Sequence, residues 1–278
     1  MSAHTLDDVM TRVPQLPALP KIVARIVASL EDDSLNTDTL AELVEADPAI
    51  SMRLLAAASS AAFGAHGTTS VRQALMRLGI ARVRQIVVAT ALFDRYKLPL
   101  PFDCLRLWRH SLAVALCAED IARYAGLHAE TAYMAGLLHD VGQLLMFVAD
   151  PVDYSEILRQ QIAEDRPLVE IERSRWGVDH AQVGRELARR WNLPGDIAES
   201  IGAHHARDAR APVSEFADVV HAATVLAHAL DLGSLPNNVV PPVCDLCCAR
   251  LGIDWRAFAP HFAGIEARYE GALLMLGI

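Results

Sequence analysis

Little in this 278-residue chain marks a membrane protein, a disulfide scaffold or a nucleic-acid coat. No window approaches the roughly 18 uncharged apolar residues of a membrane span. The N-terminal MSAHTLDDVMTRV is acidic where a secretory signal is basic and then apolar, so the expected location is the cytoplasm, with no membrane partner. Five cysteines, an odd number with Cys244, Cys247 and Cys248 crowded together, fit reduced thiols better than a disulfide framework. CDLCC holds one C-x-x-C spacing, but no second pair completes a four-ligand structural zinc site. Cys244, Cys247, Cys248 and Leu251 share a helical face, as small buried hydrophobes do. A P-loop, a dinucleotide glycine fingerprint and a nucleophile elbow are all missing. A net charge of −9 argues against nucleic acid as a partner of the whole molecule, because that affinity rests on neutralising phosphates. Alternating strand patterns and internal repeats are missing too.

What is present is an apolar chain (53%) with ample material for a core and breaks that carry cap chemistry. Apolar residues recur at three and four, which predicts an all-α fold. Helices are expected at Lys21–Leu30 and Thr37–Ala46, then after Asp47-Pro48, where Asp caps and Pro takes the first helical position. Ser70 caps a short helix that stops at Gly79, and another covers Ile80–Phe93. GAHGTTS is a loop. The proline-rich KLPLP, Lys97 to Pro101, is hostile to helix and divides the chain into two helical lobes. Further helices are predicted at Leu105–Tyr124, Ala129–Val148, Tyr154–Asp165, Leu168–Arg175, His180–Trp191, Pro194–Ala203 and Val213–Leu230. LGSLPNN then breaks the chain before a helical tail. The organisation is therefore an N-terminal lobe (1–98), a second lobe (99–232) and a tail (233–278). Between Arg72 and Arg109 eight basic residues face two acidic ones; solvated helix faces account for this, and an anion-facing surface is the sharper alternative.

The stretch YMAGLLHDVGQLLMF sets His139 and Asp140 in an otherwise apolar run. A buried carboxylate costs several kcal/mol unless a cation, a metal or a dense set of donors faces it. Histidines elsewhere fall on inward stripes. His110 joins Leu107 and Val114, His180 extends the row Val183, Leu187, Trp191, and His204 and His205 continue from Ile197 and Ile201. One such histidine is an ordinary hydrogen-bonded core residue; five beside a buried Asp are the donor set of Zn, Fe, Mn or Ni. Adjacent helical residues lie about 100° apart, so an ion shared by His139 and Asp140 would sit in the groove beside their helix.

Motifs in order resemble an HDOD domain: LPALPKIVARIVASLEDD, LAELVEADPAISMRLLAAASSAAFG, SVRQALMRLGI, LWRHSLAVALCAEDIA, AYMAGLLHDVGQLLMF and GVDHAQVGRELARRWNLPGDIAESIGAHH, spanning about Pro14 to Leu230. HDOD domains are similar to the HD superfamily of metal-dependent phosphohydrolases and to HD-GYP phosphodiesterases. The resemblance implies an HD-like helical bundle in the second lobe, His110 as the first histidine, His139 and Asp140 as the HD doublet, and His180, His204 and His205 as the further histidines of the HD-GYP branch. Two departures stand out. HHARDARAP replaces the GYP signature, and the closing aspartate falls at Thr224, a neutral ligand. Asp218 lies about 120° round that helix and is a poor substitute, while His221 and His228 are closer in angle. The expectation is a bacterial-type cytoplasmic signal-transduction module that binds a protein partner or a nucleotide ligand without turnover, its metal weakly held or absent. The alternative is a metal-dependent phosphohydrolase on a nucleotide or cyclic dinucleotide, with Arg106 or Arg109 holding phosphate. DNA binding through the basic N-terminal half is the third reading.

Overall fold

The computed structural model describes residues 5–12, 18–30, 35–59, 68–95, 102–205, 214–233, 238 and 240–277, and among them there is helix and no strand. The predicted KLPLP joint, most of GAHGTTS and LGSLPNN, and the segment that replaces GYP lie outside these residues. The chain divides into two compact units that interleave in sequence. Unit 1 is Met1–Ala18 with Leu98–Ile265, and unit 2 is Leu19–Lys97 with Glu266–Ile278.

Unit 2 is built from α2 (Lys21–Ala28), α3 (Thr37–Glu45), α4 (Pro48–Ala58), α5 (Val71–Leu78) and α6 (Ile80–Arg95). Its boundaries follow from caps. Asn36 accepts from Thr39 N–H, Asp47 from Ala49 and Ile50 N–H, and Ser70 from Gln73 N–H. Gly79, at φ 79°, turns the chain between α5 and α6 where a side chain would be strained. Ile26, Leu40, Leu54 and Leu92 are fully enclosed. The basic residues are mostly engaged within the unit: Arg72 with Asp38, Arg77 with the Thr68 hydroxyl, Arg82 with Gln85, and Arg84 with the Leu35 carbonyl. The surplus of Arg therefore reads as helix-face and capping chemistry.

Unit 1 opens with α1 (Leu6–Arg12), a seven-residue helix that the sequence pattern did not reveal. It continues with α7 (Cys104–Ala125), α8 (Ala129–Leu138), α9 (Val141–Ala149), α10 (Pro151–Glu164), α11 (Leu168–Trp176), α12 (His180–Arg190), α13 (Gly195–Ala203), α14 (Glu215–Ala229), α15 (Asp245–Leu251) and α16 (Trp255–Phe258). The last helix, α17 (Phe262–Leu276), begins in unit 1 and ends in unit 2. Helix α7 runs through the middle, enclosed along most of its length, with α8 and α14 against it; α12 packs on α9 and α13.

The helix expected over Ala129–Val148 is two helices, broken at His139 and Asp140. Glycines on either side of the break show why. A Cβ on Gly136 would come within 2.8 Å of Ala115 Cα on α7, and a Cβ on Gly142 would overlap the His180 carbonyl and lie 2.8 Å from Gly184 N on α12. Each half-helix is thus pressed against a different neighbour at backbone contact, and one straight cylinder cannot serve both. The whole run Ala129–Ala149 is, against expectation, long and apolar enough by length and composition to cross a membrane, but 83% of its apolar window is buried inside the protein. It is the floor of the site described next.

Candidate metal centre

Asp140 occupies the N-cap position of α9, yet its side chain makes no capping bond there. Helices usually gain about 1 kcal/mol from such a cap. The carboxylate points instead into a group of imidazoles. Its Oδ2 lies 3.3 Å from His139 Nε2, and its Oδ1 lies 3.2 Å from His180 Nε2 and 3.8 Å from His204 Nε2. His180 Nε2 is also 2.9 Å from His205 Nε2. His110 stands beside His139 with ring centroids 5.4 Å apart. Two ligand sets sharing Asp140 result, His110–His139–Asp140 and Asp140–His180–His204–His205, and within each set the donor atoms lie within 4.8 Å of one another. The structure thus brings together all six residues named from the sequence, from α7, the α8–α9 break, the start of α12 and the end of α13.

Three of the rings are held at their far nitrogen. His139 Nδ1 donates to the Gly136 carbonyl at 2.8 Å, His204 Nδ1 to the Ile201 carbonyl at 2.8 Å, and His180 Nδ1 to the Glu172 carboxylate at 2.6 Å. Carbonyl and carboxylate oxygens only accept, so in the neutral ring the proton sits on Nδ1 and the lone pair on Nε2 faces Asp140. This is how metal-ligating histidines are oriented. His204 Nε2 and His110 Nδ1 are buried with no hydrogen-bond partner, and a cation would satisfy such atoms. The donor set fits a divalent metal with nitrogen and oxygen ligands.

Burial dominates the electrostatics. It drives the His110 pKa down to about 3, with the neighbouring His139 adding to the effect, and it holds His204 and His205 well below the ordinary histidine value. Burial works against the charged form of Asp140 as well, but His139 and His180 override it and keep the carboxyl well below its usual range. For His180 burial is again the largest influence, here outweighed by Glu172 and Asp140, so its pKa stands well above normal. Without a metal, the two carboxylates that flank His180 favour its protonated form.

Glu172 is the participant that sequence reasoning missed. It sits on α11 in the row Val169, Glu172, Trp176, and the same inward-stripe test that picked out the histidines would have found it had it been applied to carboxylates. On α14, the Thr224 hydroxyl donates to the Val220 carbonyl at 2.9 Å. Asp218 is gripped by Arg250 through two bonds of 2.6 Å, in agreement with its being a poor substitute. His221 Nδ1 approaches the His204 carbonyl at 3.2 Å, and His228 lies 5.2 Å from His110 by ring centroids. The face His221, Thr224, His228 therefore borders the cluster with no acid on it. Arg106, half-buried one turn before His110, adds its charge to what depresses His110 and His228, and burial lowers its own pKa. Arg109 is half-buried, its Nε enclosed with no hydrogen-bond partner.

Comparisons with known proteins agree with this fold. A crystal structure of an HDOD domain protein with unknown function from Geobacter sulfurreducens superposes with a TM-score of 0.79 at 26% identity, covering 96% of this chain and 97% of that one. An uncharacterized protein from Treponema pallidum is 25% identical over 201 residues, 71% of this chain, and a ribonuclease Y from Desulfotalea psychrophila is 31% identical over 161 residues, 58% of this chain. The matches span only 39% and 24% of those two relatives. The HDOD domain model matches residues 16–207, the greater part of both the helical scaffold and the histidine cluster, and the chain belongs to the HDOD family.

Proposed function

We propose that this protein is a signal-transduction module that works by binding a protein partner or a nucleotide, with the histidine–aspartate cluster serving as a structural metal site and not as a centre of turnover. The observation that carries this reading is the composition of the cluster's rim. One carboxylate, Asp140, stands among the ligand atoms, it is 7% exposed, and His139, His180 and His204 are exposed by 2% or less. Thr224 brings no charge where a closing acid would complete the set. A metal-bound water becomes a useful nucleophile when the ion is firmly held and one position stays open to substrate. Enclosed ligand atoms leave no such open position, and among the described residues no second carboxylate stands with them to complete a catalytic set.

A second reading has its own support. The Nδ1 tethers on His139, His180 and His204 pre-orient three Nε2 atoms, as a metal-dependent phosphohydrolase needs, and one relative bears the name ribonuclease Y. A divalent ion held there would supply Lewis acidity and a more acidic water. In that reading Arg106 and Arg109 hold the phosphate oxygens, and the depressed pKa of His110 keeps it a neutral ligand.

Metal analysis of protein purified without chelator, paired with hydrolysis assays on bis(p-nitrophenyl) phosphate and cyclic di-GMP in the presence of Mn, Ni, Fe or Zn, tests the choice. The expected outcome is no hydrolysis above buffer with any of the four ions. Metal-dependent hydrolysis by the unmodified protein, lost in His139→Ala, would establish the enzyme instead.

A further inference from the structure

We infer that Glu172 is the second anionic charge of the metal site, delivered through the ring of His180 in place of the acid that α14 lacks. This rests on the reading that the cluster holds a divalent ion. Glu172 is 0% exposed. Among the described residues its ion pair is with His180, while the adjacent Arg173 is committed to Asp179 at 2.5 Å. Three donors fix its oxygens: the Tyr154 hydroxyl on Oε1 at 2.7 Å, and the backbone N–H and Nδ1–H of His180 on Oε2 at 2.9 and 2.6 Å. The carboxylate is therefore a placed group with no surface cation to neutralise it.

His180 is singled out among the ligands by this contact. His139 and His204 donate Nδ1–H to neutral carbonyls, whereas His180 donates to a full negative charge. A ring whose far N–H faces a carboxylate is the stronger base at its other nitrogen, because the imidazole passes charge across its π-system. That other nitrogen, Nε2, lies 3.2 Å from Asp140 Oδ1. Asp140 and Glu172 thus stand on opposite sides of one imidazole. A divalent ion bound between Asp140 and the neutral ring brings the formal charge of the trio to zero. With the Thr224 position neutral, Glu172 restores the balance from the α11 side.

Calorimetric titration of Zn(II) into the chelator-stripped full chain tests this, with the visible absorption of Co(II) as a second readout. Glu172→Gln keeps the shape and removes the charge. It should weaken Zn(II) binding about 10- to 100-fold at unchanged stoichiometry and alter the Co(II) spectrum. Tyr154→Phe removes a donor that draws charge off Glu172, so it should tighten Zn(II) binding about twofold to fivefold even as it costs stability. A role limited to propping α11 against α12 would weaken binding in both variants, and it would do the same in Asp153→Ala, which removes the α10 acceptor of Arg175 and Trp176 on α11. Wild-type protein that takes up no ion overturns the metal reading itself. Wild-type protein that binds while Glu172→Gln binds equally well overturns this inference and leaves that reading standing. Should Glu172→Gln not fold, the sign of the Tyr154→Phe effect decides, and unchanged or weaker binding overturns the role of Glu172.

Discussion

Among its described residues unit 2 buries one charged side chain, Arg84, whose guanidinium donates to a backbone carbonyl, whereas unit 1 encloses Asp140, Glu172, His139, His180 and His204 around a shared centre. Ten of the eleven histidines and all four tryptophans also belong to unit 1, with His66 alone falling in the range of unit 2. Apolar packing in unit 2 is insensitive to pH and tolerant of small changes in shape. The interior of unit 1 is stable only while each charge has its counterpart, so it is sensitive to protonation and to small displacements. Scaffold and chemistry have been given to different parts of one chain.

The sharpest way to break that contrast is to substitute one glycine in each unit. Gly142→Ala drives a methyl into the His180 carbonyl and the Gly184 amide, both backbone atoms that cannot swing aside. We expect a loss of about 3 kcal/mol or more, beyond ordinary overpacking. Gly79→Ala meets open space and suffers only from its positive φ, a cost of about 2 kcal/mol. Because Trp108, Trp176, Trp191 and Trp255 all lie in unit 1, the urea midpoint read by fluorescence should fall for Gly142→Ala and hold for Gly79→Ala, whose loss shows in far-ultraviolet dichroism. Equal fluorescence shifts would mean that the units unfold as one.

Acidification comes next in size. His110, His204, His205 and His228 have pKa values lowered by burial, so below the unfolded value of about 6.5 the unfolded chain binds more protons than the folded one. Their contribution is intact above that pH and falls as pH drops toward their folded values, about 3 for His110. His180, raised, works the other way: its contribution grows as pH falls through the unfolded value and is complete below it, so it offsets a small part of the loss near pH 6.5. Chelator-stripped protein should lose on the order of 3 kcal/mol from the tryptophan-reported transition between pH 6.5 and 5. Bound metal should suppress the loss; a flat profile without metal would sink the idea.

The smallest effect sharpens the rim of the site. Thr224→Asp places a carboxylate between His221 and His228 on the face that borders the cluster, and we expect Zn(II) affinity to rise about tenfold, more than for any other single change on α14. Calorimetry measures it. A larger gain from replacing Ala222 or Ala223 with Asp would show that another face of α14 borders the ion.

Much of the scaffold was legible because its signals are local. Asp47 before Pro48, Ser70 three before Gln73, and Gly79 closing a turn each declare a boundary within four residues, and the structure uses all of them. The break at His139–Asp140 was not, because α8 and α9 are apolar on every side and their periodicity carries no phase; the interruption is imposed by neighbours that are distant in sequence. The histidines were legible one helix at a time, and the HD resemblance ordered them. Glu172 escaped because only imidazoles were followed along the stripes. Helix α1 escaped because seven residues hold too few turns for a pattern to repeat.

The interleaving of the units bears on how the molecule is made. Segment 19–97 leaves the ribosome early, yet its unit also includes Glu266–Ile278, and the guanidinium of Arg53 on α4 donates both to Asp94 and, at 3.2 Å, to the carbonyl of Leu276 in the last turn of α17. Unit 1 likewise takes Val9 and Met10 of α1 into its core long before α9 and α12, against which α1 packs, have been translated. Each unit is closed by pieces that flank part of the other in sequence, so each must form contacts across a long intervening segment. A break near residue 98 would leave each fragment with part of both units, and loss of Glu266–Ile278 would strip unit 2 of a segment that lies far from the rest of it in sequence.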